Sequence, residues 1–436
     1  MFQTIQNAFK TKEVRMKLLY VLFALIVVRI GCNIPIPGVN GSVMQEMFNN
    51  NKSLGFLDVM TGGSFSRMSI FALNITPYIT ASIILQLLTI AIPRLEELQK
   101  DGEDGRKKIN EYTRYLSIVL AVIEGLAMVI GFRNQNIFKE SGYVSMIVAV
   151  VSLTAGAAFL MWLGEQITVK GVGNGISIIL LINIVARIPS DLAGLYNTYI
   201  KGASNITNAL IAGVIIVAVI VAMYVFIVFL QDGERRIPVQ YAKKIQGRKV
   251  AGGQSSHIPL KVNTSSVIPV IFASSILSVP MVIVNLFNIN TNGVWSKILR
   301  GMNSNYWFNP AYPWASVGLI IYILLVVFFA YFYTSVTFNP MEVANNLKKS
   351  GGFIPGIRPG KPTQDYLNKI LNYVVFIGAV GLLIVAIIPI FFNGMFGADV
   401  SFGGTSLIII VGVVLETLDQ IESKMIVRNY SGFLND

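Results

Sequence analysis

Ten stretches of this chain are each about twenty residues long and nearly free of charge, and they leave little choice of fold. They run over residues 18–37, 68–91, 113–131, 143–163, 173–189, 209–230, 266–288, 314–336, 368–391 and 402–418. In hydrocarbon a backbone must satisfy its own polar groups, so each stretch is expected to be a helix. Composition agrees: 13% of residues are charged, where a soluble domain carries about 25%. An all-α membrane protein with ten transmembrane helices is the expectation. Ten crossings return both termini to one side. With the N-terminus inside, 25 of the 34 lysines and arginines fall in segments on that side. That asymmetry predicts N-in and C-in. The charged lead-in MFQTIQNAFKTKEVRMK runs into its apolar stretch with no small-residue cleavage site, so a retained span is expected there.

Several chemistries are disfavoured. One cysteine, Cys32, excludes an internal disulfide, and its residue type predicts a small buried apolar side chain. With a single histidine, His257, metal chemistry is discounted and no cofactor is expected. Gly171, Gly173 and Gly175 space as GxGxG with no strand before them, so they read as a tight connection rather than a dinucleotide loop. Gly360-Lys361 lacks the first glycine of a phosphate loop, and Pro362 follows the lysine. An intramembrane enzyme would need a catalytic pairing that this sequence lacks, so the chain is read as a non-enzyme. A secondary transporter would need intramembrane ionisable clusters, and only Arg29 and Glu124 are candidates. Arg29 is expected to snorkel or to face the bundle interior. Glu124 is expected to be a hydrogen-bonded structural carboxylate.

What remains is a path. Ser69 to Ile90 is apolar, yet it carries Asn74, Thr76, Pro77, Tyr78, Thr80, Ser82 and Gln86. Unpaired polar groups are costly in lipid, so this span should face protein or water. Phe56 to Arg67, interrupted by Gly62-Gly63, is too short to cross a bilayer. A half-length segment leading into a polar-flecked span points to a route that is not lipid. Two inner segments, 231–263 and the one from Phe338, are long, basic and rich in glycine and proline. The alternation Ile237, Val239, Tyr241 reads as an extended hairpin turning at Gly247-Arg248. Both segments are expected to protrude as docking surfaces for acidic partners.

These features resemble the SecY / Sec61-alpha family of protein-conducting channels. The resemblance runs nearly end to end, through IPIPGVN (34–40), SRMSIFALNITPYITASIILQLL (66–88), GRKKINEYTRY (105–115), MWLGEQITVKGVGNGISIIL (161–180), QGRKVAGGQSSHIPLKVN (246–263), VIPVIFASSILS (267–278), GGFIPGIRPGKPT (351–363) and FGGTSLIIIVGVVLE (402–416). It implies two pseudo-symmetric inverted halves, spans 1–5 (residues 1–190) and 6–10 (residues 191–436), forming a clamshell channel with a plug half-helix over 54–66. Cytosolic docking loops would cover 231–263 and 337–366. The implied pore ring is Ile75, Ile79, Ile176, Leu180, Ile271 and Ile409, with leucine at 180 where many relatives have isoleucine. The lateral gate would hold Thr80, Gln86, Asn174, Ser275 and Val279, the last replacing an aromatic found in some relatives. The plug would include Phe56, Leu57, Met60, Gly62, Gly63 and Arg67. Arg248, Lys249 and Arg358 would dock the SecA ATPase and the ribosome. The implied function is translocation of unfolded polypeptides across the bacterial cytoplasmic membrane and lateral release of helices into it, opened by signal peptides with SecA or a ribosome. The implied partners are SecE, SecG, SecA, the ribosome, signal peptides and membrane lipids, with YidC and SecDF beyond them.

Overall fold

The computed structural model describes residues 6, 9–41, 43–44, 61–133, 137–138, 142–201, 206–241, 244–246, 249–251, 255–286, 293–396 and 404–432. Seven helices come first: α1 Lys12–Gly31, α2 Thr76–Ala91, α3 Pro93–Lys100, α4 Glu103–Phe132, α5 Tyr143–Lys170, α6 Gly175–Leu195 and α7 Ile206–Asp232. After a stretch of strands follow α8 Ile268–Leu286, α9 Val294–Met302, α10 Val317–Thr337, α11 Pro340–Lys349, α12 Lys361–Phe396 and α13 Gly404–Gly432. Every one of the ten apolar windows holds a helix. Among the described residues, six helices are long and apolar enough to cross a membrane, or seven if Thr76–Thr89 and Pro93–Gln99, bent by 105°, form one span. Two of the windows fall short of that test for physical reasons. α1 carries Arg15, Lys17 and Arg29, and α2 is only 16 residues long.

The chain forms two compact units. The first comprises Met1–Asn197, Pro280–Ser296 and Gly412–Asp436. Within it α4 packs against both α2 and α5, and α5 packs against α1 and α6. Its core joins Ala121, Met128 and Phe132 of α4 to Ala149, Leu153 and Ala157 of α5. Met68, Ala72 and Leu73 complete that core, and they come from no helix.

This corrects the expected second span. Helix begins at Thr76, not near residue 68, and Thr61–Ile75 is a run of turns apart from a one-residue bridge at Ser69. Met68 (φ 49°) and Asn74 (φ 52°) adopt left-handed conformations that a helix excludes. The run is pinned to the chain leaving α1: Ile36 N–H donates to Met68 O at 3.0 Å, and Ile70 N–H to Ile34 O at 3.0 Å. The expected plug half-helix falls only in part on described residues. Residues 61–66 are turns, and the rest of that segment, with Phe56, Leu57 and Met60, lies outside the described residues.

The second unit comprises Thr198–Val279 and Lys297–Val411. Here α10 packs along α12 through Ala330, Leu371, Val375 and Ala379. Phe272 of α8 meets Phe329 of α10 edge to face at 5.2 Å. The strands build a small subdomain outside the apolar helices. β1 (Glu234–Tyr241) pairs antiparallel with β4 (Ser255–Lys261), from Glu234 opposite Lys261 to Gln240 opposite Ser255. β2 (Lys244–Gln246) and β3 (Lys249–Ala251) form an antiparallel pair between them, and the turn at 247–248 lies outside the described residues. The hairpin read from the alternation at Ile237 and Val239 is present.

The second long segment, expected as a docking loop, is not loop throughout. It contributes β5 (Gly352–Phe353), which pairs with the free edge of β1, and the helix α11. Asn339 caps α11, its side chain accepting from Met341 N at 3.1 Å and Glu342 N at 3.4 Å, with Pro340 in the first turn. Ile237, Val239, Leu260, Leu347, Ile354 and Leu367 share one core. The two basic segments therefore fold as a single body.

Candidate functional site

The ring candidates lie at the beginnings of helices. Ile75 is the residue before the first turn of α2 and is 1% exposed, and Ile79 follows one turn later, half-buried. Ile176 and Leu180 are one turn apart on α6, so they share a face, and both are half-buried. Ile271 sits in the first turn of α8 and is half-buried, while Ile409 on α13 is buried. The first four belong to the first compact unit and the last two to the second.

The 171–175 glycines make the tight connection expected of them. Asn174 caps α6, accepting from Ile176 N at 3.1 Å and Ser177 N at 3.4 Å. A Cβ on Gly175 would lie 1.9 Å from Gly164 O, so only glycine lets α6 start this close to α5. Asn174, a gate candidate, thus spends its side-chain oxygen on its own helix. Of the other gate candidates, Thr80 is half-buried and Gln86 exposed on α2, and Ser275 is exposed on α8. Val279 lies within α8, but its side chain is outside the described residues.

Among the docking candidates, Arg358 is exposed in the connection between β5 and α12. That connection is tied down where the Thr363 hydroxyl donates to Arg358 O at 2.9 Å. Lys249 belongs to β3 by its backbone, and Arg248 is outside the described residues.

A polar interior emerges that the sequence reading did not assemble. Arg29 does not simply snorkel: its Nη1 donates to Gly62 O at 3.4 Å. Cys32 is buried as expected, but it is not merely apolar, because its thiol donates to Asn183 Oδ1 at 3.8 Å. Asn183 Nδ2 donates to Asn74 Oδ1 at 3.2 Å. Arg67 Nη1 donates to Asn33 Oδ1, and Asn33 Nδ2 donates to Arg29 O at 2.8 Å. The signal was an asparagine inside each of two apolar runs, FALNI and LLINI. Glu124 departs from expectation: it is half-buried with no hydrogen-bond partner among the described residues.

The architecture is that of solved channels. A structure described as that of a protein-conducting channel superposes with a TM-score of 0.65 at 20% identity, covering 95% of this chain and 93% of the other. Sec61 in a canine ribosome-channel complex from the endoplasmic reticulum gives 0.63 at 19% identity, covering 95% and 93%. The class is thus a helical, multi-span membrane protein with the protein-conducting-channel fold. A family model described as SecY matches residues 69–418. Proteins named protein translocase subunit SecY are 46% identical in Halalkalibacterium halodurans, 44% in Streptomyces scabiei and 43% in Bacillus subtilis, each over the full length of both chains. The chain belongs to the SecY family.

Proposed function

We propose that this chain is the channel subunit of a protein translocase in the bacterial cytoplasmic membrane, with both termini inside. It conducts unfolded secretory polypeptides and releases hydrophobic helices sideways into lipid. The observation that carries the reading is the full-length identity with translocase subunits. The ring is Ile75, Ile79, Ile176, Leu180, Ile271 and Ile409. A narrow ring of aliphatic side chains dewets and blocks ions, yet yields to a passing chain because it makes no specific bonds. Thr80, Gln86, Ser275 and Val279 line the lateral gate, with Asn174 at its edge. Polar contacts between membrane helices are worth about 0.6 kcal/mol each, so a signal helix that partitions into lipid can offset their loss.

Arg248, Lys249 and Arg358 dock SecA and the ribosome, and SecE and SecG complete the complex. The chain acts as a conduit rather than an enzyme, with its driving energy supplied by the bound motor or ribosome. The test is Ile409→Asn in the assembled complex. A polar group in the ring should admit water, raise ion leak and allow export of precursors with defective signal sequences. Unchanged leak together with unchanged signal stringency would overturn the ring.

A further inference from the structure

We propose that α9 is an interfacial anchor. It lies in the headgroup layer of the outer leaflet, with its apolar face in the acyl chains and Lys297 and Arg300 on the phosphates of anionic lipid. The choice of the outer leaflet rests on the topology proposed above; the lipid contact does not. With 3.6 residues per turn, Val294, Trp295, Ile298, Leu299 and Met302 fall on one face of this helix, and Ser296, Lys297, Arg300 and Gly301 on the other. An amphipathic helix of a soluble fold packs its apolar face on the core. Here no residue of α9 is buried: Val294 is 71% exposed, Trp295 67% and Ile298 44%. At nine residues the helix is about 13 Å long, too short to cross a bilayer. A bare apolar face that carries a tryptophan, with cations on the opposite face, is the pattern of a helix lying in the membrane interface.

The connection that follows sets its depth. Trp307 is 1% exposed; its Nε1 donates to Gly301 O at 2.7 Å, and its ring packs on that of Tyr322 in α10 at 5.5 Å. Gly318 opens α10, and a Cβ there would collide with Gly301 O. The end of α9 is therefore fixed against the start of α10. The turn into α10 carries Trp314, 39% exposed, just before the lipid-facing Val317. An exposed tryptophan at the end of an apolar span marks the headgroup level, so α9 lies at that level too. The charges fit the same surface. The Arg300 guanidinium is held 5.3 Å from the centre of the Tyr312 ring, and both Arg300 and Lys297 are exposed. No acidic residue occurs between Glu234 and Glu342, and among the described residues neither cation has an ion-pair partner. Lipid phosphate satisfies both cations while the acyl chains take the apolar face. An apolar protein surface laid over the helix would desolvate the cations and leave them unpaired.

The experiment places a fluorophore at Ile298→Cys in a Cys32→Ser background, in the assembled complex reconstituted into vesicles. Quenching is read with iodide in the water and with phosphatidylcholine or phosphatidylglycerol whose chains are brominated. Brominated chains should quench this label and iodide should not, while a label at Lys297→Cys should respond to iodide. Phosphatidylglycerol should be enriched beside the Ile298 label by about fivefold over its bulk fraction, the scale set by one surface cation. Lys297→Gln combined with Arg300→Gln should bring the two lipids to parity and leave chain quenching in place. Iodide quenching at Ile298 would overturn the interfacial seat. Protection from both quenchers would overturn it as well, because a protein would then cover this face. Equal enrichment of the two lipids, or a preference that survives loss of both cations, would overturn the anionic recognition. The side is tested separately, with a membrane-impermeant maleimide on wall-stripped cells, which should label Lys297→Cys. Labelling only after lysis would overturn the outer placement and the proposed topology together, while the quenching result decides the lipid contact on its own.

Discussion

Two helices of the first unit, α2 and α6, begin beside ring candidates and are started in opposite ways. α6 is started locally. Asn174 caps it through two backbone N–H groups, and the Thr168 hydroxyl accepts from Gly175 N at 2.9 Å. α2 has no side-chain cap, and Ile75 occupies the capping position. The nearest candidate, Asn74, directs its side chain away to Asn183 of α6. What holds the start of α2 is burial of Leu73, Asn74 and Ile75. One helix start is thus fixed by its own sequence, and the other is fixed by its neighbours. A start held by neighbours can shift when they move, whereas a capped start stays with its helix; on the channel reading proposed above, this would make α2 the mobile partner and α6 the anchor.

Gly175→Ala should break this contrast most strongly. Its Cβ would lie 1.9 Å from the Gly164 carbonyl, which is backbone and cannot swing aside. Close packing through small residues is what brings membrane helices together, and overpacking typically costs about 1–3 kcal/mol. The anchor would separate from α5. The expected result is a loss of about 3 kcal/mol in detergent unfolding of the purified complex, at the upper end of that range. Wild-type resistance would show that α5 and α6 are not locked here.

Asn174→Ala should come next. It removes a cap that typically contributes about 1 kcal/mol, and water reaches this exposed position to offset part of the loss. Asn174→Asp keeps an acceptor and should restore most of the stability. If both variants unfold like wild type, the local anchor is absent and Asn174 is free for a gate role.

The same contrast explains what could be read from the amino acids. The β1–β4 hairpin was legible because the alternation at Ile237 and Val239 is a local pattern with one buried face. The tight turn before α6 was legible because glycine spacing is local too. The start of α2 was not. FALNIT is as apolar as a helix interior, and nothing in its composition shows that Asn74 must turn left-handed to reach α6. Asparagine tolerates that conformation better than most residues, but tolerance is not a signal. For the same reason two basic segments, far apart in sequence, read as two loops. The pairing of Gln240 with Phe353 and the core shared by Ile237 and Ile354 are long-range facts. The ring and gate residues were named through family resemblance, since isoleucine in an apolar helix carries no mark of its own.

Pro77→Ala should have the smallest effect, and it sharpens the comparison from the side of α2. Proline in a first turn forgoes an N–H that has no intrahelical partner there. Replacing it adds freedom to the unfolded chain, at a cost of about 0.4–1 kcal/mol. It also adds a buried N–H, whose natural acceptor is Leu73 O. That carbonyl already faces this turn, accepting from Thr76 N at 3.3 Å, and a carbonyl oxygen has two lone pairs. The net change should therefore stay near about 0.5 kcal/mol and below that of Asn174→Ala. The informative measurement is the pair of variants side by side under one unfolding protocol. If Pro77→Ala costs more than Asn174→Ala, proline pins the start of α2 as firmly as the cap pins α6. The two helices would then be equal anchors, and gating motion would have to be sought elsewhere in the chain.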